Sequence, residues 1–181
     1  MADPARSPFF HSHGTEPLST VLINANGCPI SYLPVIADTA NIYSGMLVDI
    51  TASSYPNEVT ELGAAQGKDH LDPAPLLIEI DPAHMSLPLN YDKTTKHPDL
   101  AKMRALELFV GMDVWLKGST LTCTMGETLI PHTAGLVTNV GDPDGEAIDQ
   151  VAYSFRALTA LTSGTWIPCR VTGRQAHDKS A

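Results

Sequence analysis

DVWLKGSTLTCTMGETLIP, Asp113–Pro131, is the stretch on which the fold turns. Its apolar and β-branched residues come in short runs, Asp113–Lys117, Thr120–Thr124 and Thr128–Ile130. Gly118-Ser119, Met125-Gly126 and Pro131 separate them. Runs of this length, closed by glycine or proline, read as strands joined by turns. The rhythm continues through Leu136–Val140, the acidic turn Gly141–Glu146, Val151–Leu158, a turn at Thr162-Ser163-Gly164, and Thr165–Thr172. Strands recurring every ~8–12 residues predict an antiparallel barrel or sandwich, mainly β with little helix.

Upstream the reading is similar but more broken. Ser19–Asn24 is a short strand closed by Asn26-Gly27, and Pro29–Ile36 follows, with Pro34 marking an edge or irregular piece. Ile42–Ala52 and Glu58–Leu62 flank the breaker Ser53–Asn57. The second alternates polar and apolar, so the pair reads as a hairpin. Leu76–Ile80 is a buried strand between the loops 63–75 and 81–98. Asp99–Phe109 fits two periods: a short helical turn is expected at Asp99–Met103, capped by Asp99, and a strand after it. Residues 1–17 carry Pro4, Pro8, Gly14 and Pro17 and read as an extended arm. Phe9, Phe10 and Leu18 are its candidate partner anchors. Residues 18–172 form one β domain, and the polar residues 173–181 form a tail.

Composition narrows the function. The chain has 181 residues, 20 acidic and 11 basic, for a net charge of −9. Phosphate-mediated nucleic-acid binding needs clustered Lys and Arg, so no such partner is expected. Charged residues are 17% against an average of about 25%. With 13 glycines and 14 prolines, this favours short strands and turns over solvated helices. The apolar runs fall far short of the ~18 residues that span a membrane as a helix, so no membrane partner is expected either. Cysteines 28, 123 and 169 make neither a disulfide framework nor a metal motif.

Reactive chemistry finds little support. His11 and His13 are spaced to share one ion on an extended chain, but no third ligand lies nearby in sequence. Asp142, Asp144 and Glu146, with Asp149 beyond, offer oxygens of the kind calcium prefers. They lack EF-hand spacing, and Pro143-Asp144-Gly145 is itself a turn sequence. There is no nucleophile elbow, phosphate loop or dinucleotide fingerprint. A hydrolase alternative would have to use His70, Asp72 and His132. No catalytic residue, cofactor or metal is assigned.

Two sets of residues together carry a resemblance. One is Gly45–Thr51, a turn, and Glu58–Leu62. The other begins with Gly111–Gly118, Met125–Leu129 and Ala134–Val137, and ends with Ser154–Leu158 and Trp166–Val171. This order resembles the head decoration, or cement, proteins of tailed bacteriophages and related viruses. The resemblance implies a β-tulip-like barrel in which Gly45, Gly111, Gly126 and Gly135 are turn residues. It also implies a structural virion protein on the capsid exterior, binding the major capsid protein and self-associating as a trimer or dimer. A tail or receptor-binding β module is the nearest alternative.

Overall fold

The computed structural model describes residues 17, 20–38, 42–50, 57–62, 74–79, 102–140 and 151–176. Eleven strands are found there: β1 (Leu22–Asn24), β2 (Tyr32–Ala37), β3 (Leu47–Ile50), β4 (Glu58–Glu61), β5 (Leu76–Ile78), β6 (Lys102–Glu107), β7 (Asp113–Cys123), β8 (Thr128–Pro131), β9 (Val137–Asn139), β10 (Val151–Ala157) and β11 (Leu161–Ala176). Among the described residues the only helix is a 3₁₀ turn, Thr133–Gly135.

The strands form two rings that follow chain order. β2-β4-β3-β5-β6 closes into an N-terminal barrel. β7, β11, β10, β8 and β9 form the C-terminal sheet, and a parallel contact at Gly118 and Val137 brings β9 back to β7. Closure matters because an open edge exposes unpaired N–H and C=O groups. β1 breaks the order. It leaves the start of the chain paired antiparallel to β7, on the outside of the C-terminal ring. The barrel character expected from the sequence is therefore present twice, with parallel pairs at β2–β4 and β7–β9 among the antiparallel ones.

Period-two alternation explains how the rings meet. Val48, Val59, Leu76, Ile78, Met103 and Ala105 fill the N-terminal barrel. Their neighbours Leu47, Leu62, Leu77 and Leu106 belong instead to the core shared with the C-terminal barrel. Strands β3, β5 and β6 thus bury both faces, and for that reason Leu76-Leu77-Ile78 shows no polar alternation. The C-terminal barrel is filled by Val114, Leu116, Leu129, Phe155, Ile167 and Cys169, all fully buried. Truncating one such leucine to alanine costs ~2–5 kcal/mol.

Several local expectations change. The Ile42–Ala52 and Glu58–Leu62 segments do form an antiparallel hairpin, pairing Val48 with Glu61 and Ile50 with Val59. The expected helical turn at Asp99–Met103 is replaced, over its described part, by strand from Lys102, because pairing with β2 and β5 outweighs weak local preference. Gly118-Ser119 is no turn: β7 runs straight through it, and a Cβ on Gly118 would lie 2.9 Å from that of Leu121. Thr162-Ser163-Gly164 is likewise internal to β11, where shifts of register against β7 absorb it as bulges. Strand β11 also continues into the segment read as a polar tail, since Gly173–Ala176 pair with Val151–Ser154. Pro34 sits inside a barrel yet keeps an edge-like place. The N–H groups of Ile36 and Asp38 point to β4, and Pro34 lies two residues earlier on that side, before β4 pairing begins.

Candidate functional site

The seam between the rings is held by a buried carboxylate. Glu79 follows β5 and is 2% exposed. Its carboxylate accepts the Val21 N–H (2.8 Å), the Thr20 hydroxyl (2.8 Å) and the Tyr32 hydroxyl (3.1 Å). Val21 in turn accepts the Trp115 N–H through its carbonyl. One acid on the N-terminal barrel thereby holds the strand that straps the C-terminal barrel. The Arg104 guanidinium lies 4.3 Å above the Tyr32 ring. Burial first, and then the charge of Glu79, raise the Tyr32 pKa above its ordinary value.

A second junction lies at Gly45, whose carbonyl accepts the Lys117 N–H of β7 at 3.0 Å. Lys117 Nζ stands 4.5 Å from the Tyr43 ring and 5.5 Å from that of Trp166. Gly45 has φ +82, and a Cβ there would overlap the Trp166 ring, so two constraints require glycine. Gly135 (φ +65) donates its N–H to Leu62 O at 2.8 Å, and a Cβ there would overlap the Leu47 carbonyl. Gly111 and Gly126 also have positive φ, at 100° and 88°.

At the start of β7, Arg170 on β11 grips Asp113 through two bonds, at 2.8 and 3.0 Å. Hydrogen bonding to Asp113 raises the Arg170 pKa further. The Asn26 amide joins this pair, donating to Asp113 Oδ2 (3.0 Å) and to Gly111 O (2.7 Å). Beside it Val110 is 64% exposed, its carbonyl accepting from the Cys28 thiol at 3.3 Å. Sequence reading found neither Glu79 nor this cluster, because isolated acids, arginines and valines carry no local signal.

Of the residues singled out in sequence, Phe9, Phe10, Leu18, His11, His13, His70, Asp72, Asp142, Asp144, Glu146 and Asp149 lie outside the described residues. His132 is described: half-buried after β8, it donates its N–H to Leu136 O at 2.8 Å. Among the described residues no group of three or more His, Cys, Asp or Glu side chains is arranged to hold a metal ion. Burial drives the Cys169 thiol well above its ordinary pKa, and Cys123 is raised too. What this arrangement offers chemically is a stiff body with a strapped seam and a charged cluster beside an exposed valine.

No family model and no curated protein matches the chain. Among solved structures it is similar to the N base of head fiber gp8.5 in bacteriophage phi29. The TM-score is 0.51 and the identity 9%, and the match covers 82% of this chain and 100% of that one. At that identity the likeness lies in the course of the backbone and not in shared side chains.

Proposed function

We propose that this chain is a structural virion protein of a tailed phage, a β module mounted on the capsid exterior. In this reading it decorates and stabilises the shell by binding the major capsid protein. The observation that carries the proposal is the fold it shares with the base of a phage head fiber, over the whole of that base. Two closed barrels packed through one apolar core suit the task, since a cement subunit needs stiffness and repeated contacts more than a reacting atom. Symmetric display makes weak attachments durable, because each bound site raises the local concentration for the next. The arm 1–17, with Phe9, Phe10 and neighbouring Leu18, is the reaching element, and the subunit self-associates on the shell.

The test is to quantify and image this chain on purified particles of the source virus, with and without residues 1–17. Multiple copies per head, reduced when the arm is deleted, support the proposal. Absence from particles, or location on the tail, overturns it. Unchanged occupancy after the deletion removes the arm from the mechanism.

A further inference from the structure

The outer face of the C-terminal ring carries a row of polar side chains at one level of the register. Thr128 on β8, Arg156 on β10, Arg170 on β11 and Asp113 on β7 stand side by side, each opposite the next. Their chain neighbours Leu129, Phe155, Ala157, Cys169, Val171 and Val114 are buried in the ring, so the row points outward. Arg156 and Arg170 are both exposed. Like charges directly opposite one another weaken a sheet, so this pair is not there for stability. Asp113 compensates Arg170 through two hydrogen bonds, whereas no hydrogen bond or ion pair engages Arg156 among the described residues. Two arginines against one carboxylate leave one positive charge uncompensated.

We infer that this row is a docking site for one carboxylate, an Asp or Glu side chain on the surface of a partner protein. Arg170 has about five N–H donors and gives two to Asp113, so its 49% exposed side chain keeps donors to offer. Asp113 also holds that guanidinium still, so little freedom is lost when a ligand arrives. Arg156 adds a second planar set of donors and the uncompensated charge, and Thr128 flanks it with a hydroxyl. Repulsion from Asp113 keeps the incoming carboxylate over Arg156, away from β7. One carboxylate neutralises the row. A nucleic-acid backbone fits it poorly, because that ligand needs many positive charges and a chain of net charge −9 repels a polyanion. The site stands whether or not the chain is mounted on a capsid.

The test follows the arginine Nε–H signals of the full-length chain by NMR. The probe is the capped peptide acetyl-Val-Glu-Val-amide, compared with acetyl-Val-Gln-Val-amide, inorganic phosphate and a thymidine oligonucleotide. The Glu peptide is expected to shift the Arg156 and Arg170 signals to saturation, with a dissociation constant of ~1–10 mM that salt weakens. The Gln peptide should bind at least about tenfold more weakly. Arg104, exposed and stacked on Tyr32, is the control and should show no saturable shift. Arg156→Gln should weaken the Glu peptide about fivefold, and Arg156→Lys, which keeps the charge, about twofold. No saturable shift, an equal response at Arg104, equal binding of the Gln peptide, or undiminished binding by Arg156→Gln overturns the site. Tighter binding of phosphate or the oligonucleotide than of the Glu peptide overturns its assignment to a protein carboxylate. None of these results bears on whether the chain is found on particles.

Discussion

Glu79 accepts the Val21 N–H at 2.8 Å, so one buried carboxylate fastens the β1 strap of the C-terminal barrel to the N-terminal barrel. Three donors converge on it, from Val21, Thr20 and Tyr32. Removing the acceptor strands them in the interior, where each unsatisfied group costs ~1–3 kcal/mol. Thr20, half-exposed, recovers part of its loss from water. Glu79→Ala is therefore expected to cost about 3 kcal/mol, which for a chain of this size lowers the melting temperature by ~6–12 °C. Glu79→Gln keeps one acceptor oxygen and should lose about half as much. Circular dichroism melts decide it, and equal melting of wild type and Glu79→Ala would mean the carboxylate does not secure the strap.

Gly45 and Gly126 share a backbone conformation but differ in surroundings. At Gly126 (φ +88) a Cβ meets nothing within 4 Å, whereas at Gly45 it overlaps Trp166, which is 4% exposed. Gly126→Ala should cost only the left-handed strain, ~1–2 kcal/mol. Gly45→Ala adds a collision in the packed seam and should cost about 4 kcal/mol. Urea unfolding of the two variants measures the difference. A similar loss for both would show that Trp166 moves aside freely.

What was legible in the sequence follows from what each segment packs against. The β3–β4 hairpin could be read because Glu58–Leu62 alternates and a breaker precedes it. The segment Lys102–Glu107 was ambiguous because its strand character comes from pairing with β2 and β5, both distant in sequence. Gly118 and Gly164 read as turns because a glycine between polar residues usually ends a strand. Here β7 and β11 are held by partners along most of their length, and small residues serve close approach and bulges instead. Glu79 was illegible for a different reason. Its donors are 47 to 59 residues away, and only the folded chain gathers them. The second barrel was hidden too, since Leu77 and Ile78 look alike in sequence and serve different cores.

Thiol reactivity should follow burial. Cys28 is partly exposed, whereas Cys123 and Cys169 are buried. The thiolate is the reacting species, and burial raises both interior thiols above their ordinary pKa. A thiol reagent at pH 8 should modify Cys28 in the native protein and leave Cys123 and Cys169 until global unfolding. Mass spectrometry of the labelled chain checks this. Early modification of Cys169 would show that the C-terminal barrel opens locally.

Tyr153 gives the pH dependence its sign. Its ring packs edge-on against Phe155, with centroids 5.6 Å apart, and its hydroxyl donates to Leu108 O at 3.2 Å. Burial pushes its pKa up to about 12, from 10.0 in the unfolded chain. Below pH 10 both states keep the proton, and the stabilisation is fully present. Between pH 10 and 12 the unfolded chain releases it while the folded one holds it, so the folded state binds more protons and stability falls as pH rises. The slope from this residue approaches ~1.4 kcal/mol per pH unit, and Tyr32, shifted in the same direction, adds to it. Tyr153→Phe should lose about 1 kcal/mol at pH 7 with its hydrogen bond, yet decline less steeply above pH 10. The wild-type and variant stability curves should therefore converge near pH 11, and parallel curves in urea titrations would mean Tyr153 ionises without unfolding the barrel.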